Sequence, residues 1–135
     1  MNNSILLSNY VADTMAIVIR IEKRKLGQQA KIIFEAAEQQ SVNIFVPAIV
    51  FAEVLYLSER RKIGCSLESI ELYFQQHTSI QELPMSFSVV QFCAKINDIP
   101  ELHDRLIVAT ALSINAPLIT NDPVIQSSQF ITTVW

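Results

Sequence analysis

Hydrophobic positions along the chain switch repeatedly between two spacings. Short, nearly continuous apolar runs predict buried strands at Ser8–Ala12, Val42–Val46, Ser79–Leu83, Leu118–Thr120 and Phe130–Val134. Between them, apolar residues recur every three or four positions, which predicts helices over Met15–Lys25 and Gln28–Gln39 with Gly27 as the break. Pro47 suits the first turn of a helix that runs to about Lys62 and stops near Gly64. Ser66 is placed to cap the next helix, with Glu68 and Ser69 in its first turn. Pro84 ends the third strand, Ser86 caps a helix through about Ile96, and Pro100 leads into one ending near Ile114. Strands separated by helices predict an α/β fold: a mostly parallel sheet covered by helices on both faces. No repeat, low-complexity tract or linker interrupts the pattern, so residues 1–135 read as a single domain.

The length of 135 residues agrees, being enough for one well-filled core and too little for two. Half the residues are hydrophobic and the mean hydropathy is +0.31. Yet no uninterrupted apolar run approaches the roughly 18 residues of a membrane span. Met1-Asn2-Asn3-Ser4 lacks the positive start of a secretory leader. The expectation is a cytoplasmic protein with surplus apolar surface, which a homodimer or another protein would cover.

Charge complicates the picture. A net charge of −3 argues against a nucleic-acid binder unless some acids are neutralised by metal. Basic residues are bunched in Lys23-Arg24-Lys25 and Arg60-Arg61-Lys62. Each bunch is either a solvated helix end or a phosphate contact. Cys65 and Cys93 are far apart and match no zinc spacing, so both read as reduced thiols, Cys93 in the core. With only His77 and His103 available, histidine-rich metal chemistry is excluded.

Four acids stand in apolar company. Asp13 follows Tyr10-Val11-Ala12 at a strand's carboxyl end, where open α/β sheets place ligands, and Asp122 follows Leu118-Ile119-Thr120-Asn121 at another. Glu53 interrupts an apolar helix, and Asp104 precedes Leu106-Ile107-Val108-Ala109 near a helix start. An ionised carboxylate in such surroundings costs several kcal/mol unless paired or bound to metal. Arg105 is the only clear basic partner nearby. Structural roles compete: Asp13 as a helix cap, Asp122-Pro123 as a turn initiator, Glu53 in a salt bridge, Asp104 at a helix dipole or paired with Arg105. If the acids hold metal, oxygen-only ligands favour Mg²⁺ or Mn²⁺ over zinc.

The segments Tyr10-Val11-Ala12-Asp13-Thr14, Val46-Pro47-Ala48-Ile49-Val50-Phe51-Ala52-Glu53, Ile99 through Ala111 and Leu118-Ile119-Thr120-Asn121-Asp122-Pro123 occur in the order of the PIN-domain motifs. The chain resembles PIN-domain toxins of the VapC type over nearly its whole length. That resemblance implies a PIN-like α/β/α sandwich, Mg²⁺-dependent endoribonuclease activity on RNA, inhibition by a VapB-like antitoxin, and commonly a homodimer. Asp13, Glu53, Asp104 and Asp122 match the family's acidic quartet, with Asp13, Asp104 and Asp122 as metal ligands, and Thr120 matches the hydroxyl residue that accompanies it. Met15 departs from the small or polar residue many relatives carry, and the overall acidity is unusual for an RNA binder.

Two other readings compete. A PIN-fold module that binds RNA or protein without cleaving would be marked by loss of an acid, and all four are present. A receiver-like phosphoacceptor would want a lysine after a late strand, which neither Leu118–Thr120 nor Phe130–Val134 supplies.

Overall fold

In the computed structural model, which describes residues 6–135, the central strand is β1 (Asn9–Ala12). The Met1–Ser4 segment considered for a leader lies outside the described residues. The chain continues through α1 (Thr14–Ile21), α2 (Gln28–Glu38), β2 (Asn43–Pro47), α3 (Ala48–Glu59), α4 (Leu67–Gln76), β3 (Ile80–Leu83), α5 (Phe87–Lys95), α6 (Leu102–Ser113), β4 (Leu118–Ile119), α7 (Pro123–Gln126) and β5 (Thr133–Val134). The strand order is β3-β2-β1-β4-β5, and every pairing is parallel. The chain winds outward from β1 to β3, then returns to the other side of β1 for β4 and β5. With right-handed crossovers, that reversal puts the helices before and after β3 on opposite faces of the sheet. This is the expected α/β/α arrangement.

The core explains why the strands lack alternation. Val11 and Ala12, Ile44 and Val46, and Leu118 and Ile119 are fully buried, as a sheet covered on both faces requires. Helices α1 and α6 bury Ala16, Ile17, Val18 and Leu106 through Ala109 against them. Among the described residues, no helix is long and apolar enough to cross a membrane.

Two expectations need correction. The first helix ends at Ile21, short of Lys25. Lys23 takes φ 58°, its amide donates to the Arg20 carbonyl and that of Arg24 to the Ile19 carbonyl, which together close a Schellman cap without glycine. Arg61 (φ 55°) closes α3 in the same way. The fifth strand keeps only Thr133–Val134. Its predicted beginning is diverted because the Gln129 amide donates to Asp98 and the Phe130 amide to Ser128 Oγ. The Asp122-Pro123 step, for which a turn was one of the competing readings, opens the short helix α7.

Gly27 serves for space and not for its backbone freedom, its φ being an ordinary −61°. A Cβ there would lie 2.9 Å from Trp135 Cγ and closer still to the Trp135 carbonyl carbon. The Trp135 carbonyl also accepts from the Gln29 amide at 3.2 Å, tying β5 to the start of α2. Gly27→Ala should therefore lower stability by about 1–3 kcal/mol through overpacking, outweighing the fraction of a kcal/mol gained by restricting the unfolded chain. Chemical denaturation of the two proteins measures this; an unchanged midpoint would show that the packing around Trp135 yields freely.

Candidate functional site

The paired register Val11↔Leu118 and Ala12↔Ile119 brings the next residues of β1 and β4, Asp13 and Thr120, side by side. The Asp13 amide donates to the Ile119 carbonyl at 3.1 Å, and the hydroxyl of the fully buried Thr120 lies close enough to the Asp13 carboxylate to favour its charged form. This is the point where the winding of the sheet reverses, so the connections after β1 and β4 diverge and leave a crevice at their carboxyl ends. A cavity of about 380 Å³ occupies it, lined by Asp13, Glu53, Asp104 and Asp122 together with Thr14 and Asn121. All four acids singled out in the sequence thus face one space. Among the described residues, no Lys, Arg or His lines it.

Each acid is held by a different local device. Asp13 caps α1, its Oδ1 accepting from the Ala16 amide at 2.8 Å. Asp122 caps α7, accepting from the Val124 amide at 2.8 Å, while its own amide donates to Thr120 Oγ1 at 3.1 Å. Asp104 lies in the first turn of α6, behind the N-cap Glu101, whose carboxylate accepts from the amides of His103 and Asp104. Glu53 sits in the middle of α3 and accepts from Thr14 Oγ1 at 2.7 Å.

The structural alternatives are thereby settled one by one. Asp13 and Asp122 do cap helices, and they line the cavity as well. Glu53 has a hydroxyl partner where a salt bridge was considered. Asp104 forms no ion pair with Arg105 among the described residues. Instead Arg105 Nε is buried without a hydrogen-bond partner. Glu101 is the helix cap and does not line the cavity, and His103 is exposed beside Glu101, away from it. Thr14 is the site residue that sequence reasoning missed; its only signal was a hydroxyl immediately after the first acid.

The electrostatics show what the arrangement lacks. Burial pushes Asp13 up to about 6, with the Asp122 and Glu53 carboxylates adding repulsion against the relief from Thr120 and the Ala16 amide. Asp104 is likewise pushed up to about 6 by desolvation, then by Asp122, Glu101 and Glu53. The acids repel one another across the cavity; the exposed His103 works only weakly against this at Asp104, and no described Lys or Arg lines the cavity. A hard divalent cation is the group that fits: it supplies the missing charge, and the donors are all oxygen. Among the described residues, no three acidic, histidine or cysteine side chains are already drawn together as a ligand set. Holding an ion therefore requires the carboxylates to close inward or to bind through water.

A pH dependence follows. With folded-state values near 6 against 3.8 for an ordinary aspartate, the folded chain holds more protons than the unfolded chain between those limits. Its metal-free stability is then highest below about pH 4 as far as these groups decide it, and falls as the pH rises through about 6. Asp13→Asn keeps the cap but removes the charge, so it should stabilise metal-free protein near pH 7 by on the order of 2 kcal/mol. Thermal unfolding in chelator checks this, and a variant less stable than wild type at neutral pH would contradict it.

Comparison with known proteins places this geometry. No curated protein sequence matches the chain. Among solved structures, it is similar to VapBC2 from Rickettsia felis bound to a DNA fragment from its promoter (TM-score 0.71, 19% identity, covering 93% of this chain and 97% of that one). It is also similar to DNA-bound VapBC from Salmonella typhimurium (TM-score 0.66, 13% identity, 95% and 98% covered). A third is VapBC-1 from nontypeable Haemophilus influenzae (TM-score 0.59, 22% identity, 93% and 96% covered). At such identities these likenesses speak to the fold. The sequence itself matches the PIN domain over residues 10–129, a span that takes in all four acids. That match covers most of the chain and agrees with the parallel α/β fold described above, and this chain belongs to the PIN domain family.

Proposed function

We propose that this protein is a Mg²⁺-dependent endoribonuclease, the toxin of a VapBC-type toxin–antitoxin pair acting in the cytoplasm. The observation that carries the reading is the convergence of four acids from four separate segments on one cavity that no basic side chain enters. A structural role would leave such acids paired; these repel one another. Mn²⁺ could substitute, since the donors are hard oxygens.

Asp13, Asp104 and Asp122 would hold the ion. Once bound, Mg²⁺ would lower the pKa of a water molecule and offset charge developing on the phosphate oxygens. The chain's own residues do the rest. Thr120, which accepts from the Asp122 amide and stands beside the Asp13 carboxylate, would fix the relative placement of two strand-end carboxylates. Thr14 aims Glu53 across from α1, where its second oxygen can orient a water for in-line attack. Ile107 and Leu57 form the apolar part of the cavity wall. The three solved structures described above are all named as VapBC, two of them bound to DNA, which supports a VapB-like antitoxin as the partner. Exposed apolar side chains such as Phe87 (78% exposed) are surface that an antitoxin or a second copy in a homodimer would cover.

The purified protein should cleave RNA in Mg²⁺ and fall silent in chelator. Asp13→Asn and Asp104→Asn should each abolish cleavage without loss of folding. Thr14→Val should lower activity about 10- to 100-fold and raise the Mg²⁺ concentration giving half-maximal rate, because Glu53 loses its anchor. Cleavage retained by the Asp13→Asn, Asp104→Asn double variant would overturn the assignment.

A further inference from the structure

An acidic protein with an all-acid cavity repels RNA, so attraction for the substrate must come from elsewhere. Of the chain's ten Lys and Arg residues, Arg20, Lys23, Arg24, Lys25 and Lys31 line one groove of about 1130 Å³ at the carboxyl end of α1, with α4 as the opposite wall. Asp13 caps the other end of the same helix. The second basic bunch joins this end of the molecule. Glu22 accepts from the amides of Gly64 at 2.7 Å and Cys65 at 2.8 Å, pinning the Lys23–Lys25 segment beside the turn that follows Arg60-Arg61-Lys62. Eight of the ten cations are thereby gathered at this end of the protein.

Glu38, the acid that lines the groove, and Glu22 beside it are already committed. Glu38 holds Arg20 through two hydrogen bonds at 2.8 and 2.6 Å and accepts from the Tyr73 hydroxyl, and Glu22 pairs with Arg24 at 2.9 Å. Lys23, Lys25 and Lys31 are exposed and form no salt bridge among the described residues. Tyr73 and His77 pack together on the groove wall, ring centroids 4.8 Å apart. The bland explanation, cations at a helix end, accounts for Lys23 and Lys25 but not for Lys31, which lies in the first turns of α2.

Resting on the nuclease reading, we infer that this groove binds the phosphodiester backbone of single-stranded RNA outside the cleavage cavity. Lys23, Lys25 and Lys31 contact phosphates, and the groove supplies affinity where the acid cavity supplies chemistry. The eight residues of α1 span about 12 Å, so both ends are within reach of one strand. An acidic segment of a protein partner is the rival occupant. Single-stranded RNA is favoured because the groove sets the aromatic pair Tyr73 and His77 beside the unpaired lysines, the combination of cations and rings that single-stranded nucleic acid uses.

The test uses Asp104→Asn protein in chelator, so that binding is read without metal or cleavage. Labelled single-stranded RNA is titrated by fluorescence anisotropy at several salt concentrations. Replacing Lys23, Lys25 and Lys31 by Gln should weaken binding about tenfold and flatten the slope of log K against log salt by about 2, near 0.7 for each phosphate no longer neutralised. Lys31→Gln alone, remote from the helix cap, should flatten it by about 0.7. In cleavage-competent protein the triple variant should raise KM and leave kcat unchanged. An unchanged affinity and slope would overturn the groove assignment even if the enzyme cleaves RNA. A flattened slope in a protein that never cleaves would keep the groove and discard the nuclease. Tighter capture of an oligoglutamate peptide than of RNA of equal charge would assign the groove to an acidic protein segment.

Discussion

Mutual repulsion of carboxylates in a desolvated crevice is the constraint around which this molecule is arranged. Three of the four acids are tolerated by the same device. Asp13 caps α1, Asp122 caps α7 and Asp104 occupies the first turn of α6, so each sits where helix dipoles and free amides favour negative charge. Such placements are each worth about 0.3–1 kcal/mol, less than the cost of burying an unpaired carboxylate. The deficit remains visible in Asp13 and Asp104, both held near 6. What helix ends leave uncompensated is what an added cation would relieve. Capping and ligation are therefore compatible roles of one side chain, the first making the second structurally tolerable.

Topology decides which acids can meet. Because β4 joins β1 on the side opposite β2, the two strand ends bearing Asp13 and Thr120 are neighbours, although more than a hundred positions separate them in the chain. Helix α3 packs against both α1 and α6, and α3 and α6 contribute Glu53 and Asp104 to the cavity. Glu53 has no helix end to lean on and depends on Thr14.

Much of this was legible in the sequence, for physical reasons that differ by element. The β1 and β4 ends stood out because an acid after an apolar run is costly wherever it lands. Glu53 stood out because no capping role exists in mid-helix. The resemblance to PIN-domain motifs supplied the grouping, which spacing alone could not. The misses share a cause: local competition invisible to periodicity. A four-residue helix such as α7 is too short to show a repeat. The late start of β5 follows from Asp98 and Ser128 holding the amides of Gln129 and Phe130 just ahead of it. The early end of α1 turns on Lys23 adopting a left-handed backbone that glycine normally supplies, so no residue type announced it. Thr14 escaped notice because its partner lies 39 positions away.

A polyanion cannot be drawn to a site made only of acids, even when a divalent ion cancels part of their charge. On the nuclease reading, affinity and chemistry must then be separated in space, and α1 is the element that spans the separation. Its first turn is built on Asp13 and its last on a Schellman cap whose left-handed residue is Lys23. Helix polarity sorts the two charges the same way, anion at the amino end and cation at the carboxyl end. The dipole that makes the acid tolerable at one end also favours the lysines at the other. The net charge of −3 is thus a poor guide to this surface, because it sums two poles that the fold keeps apart.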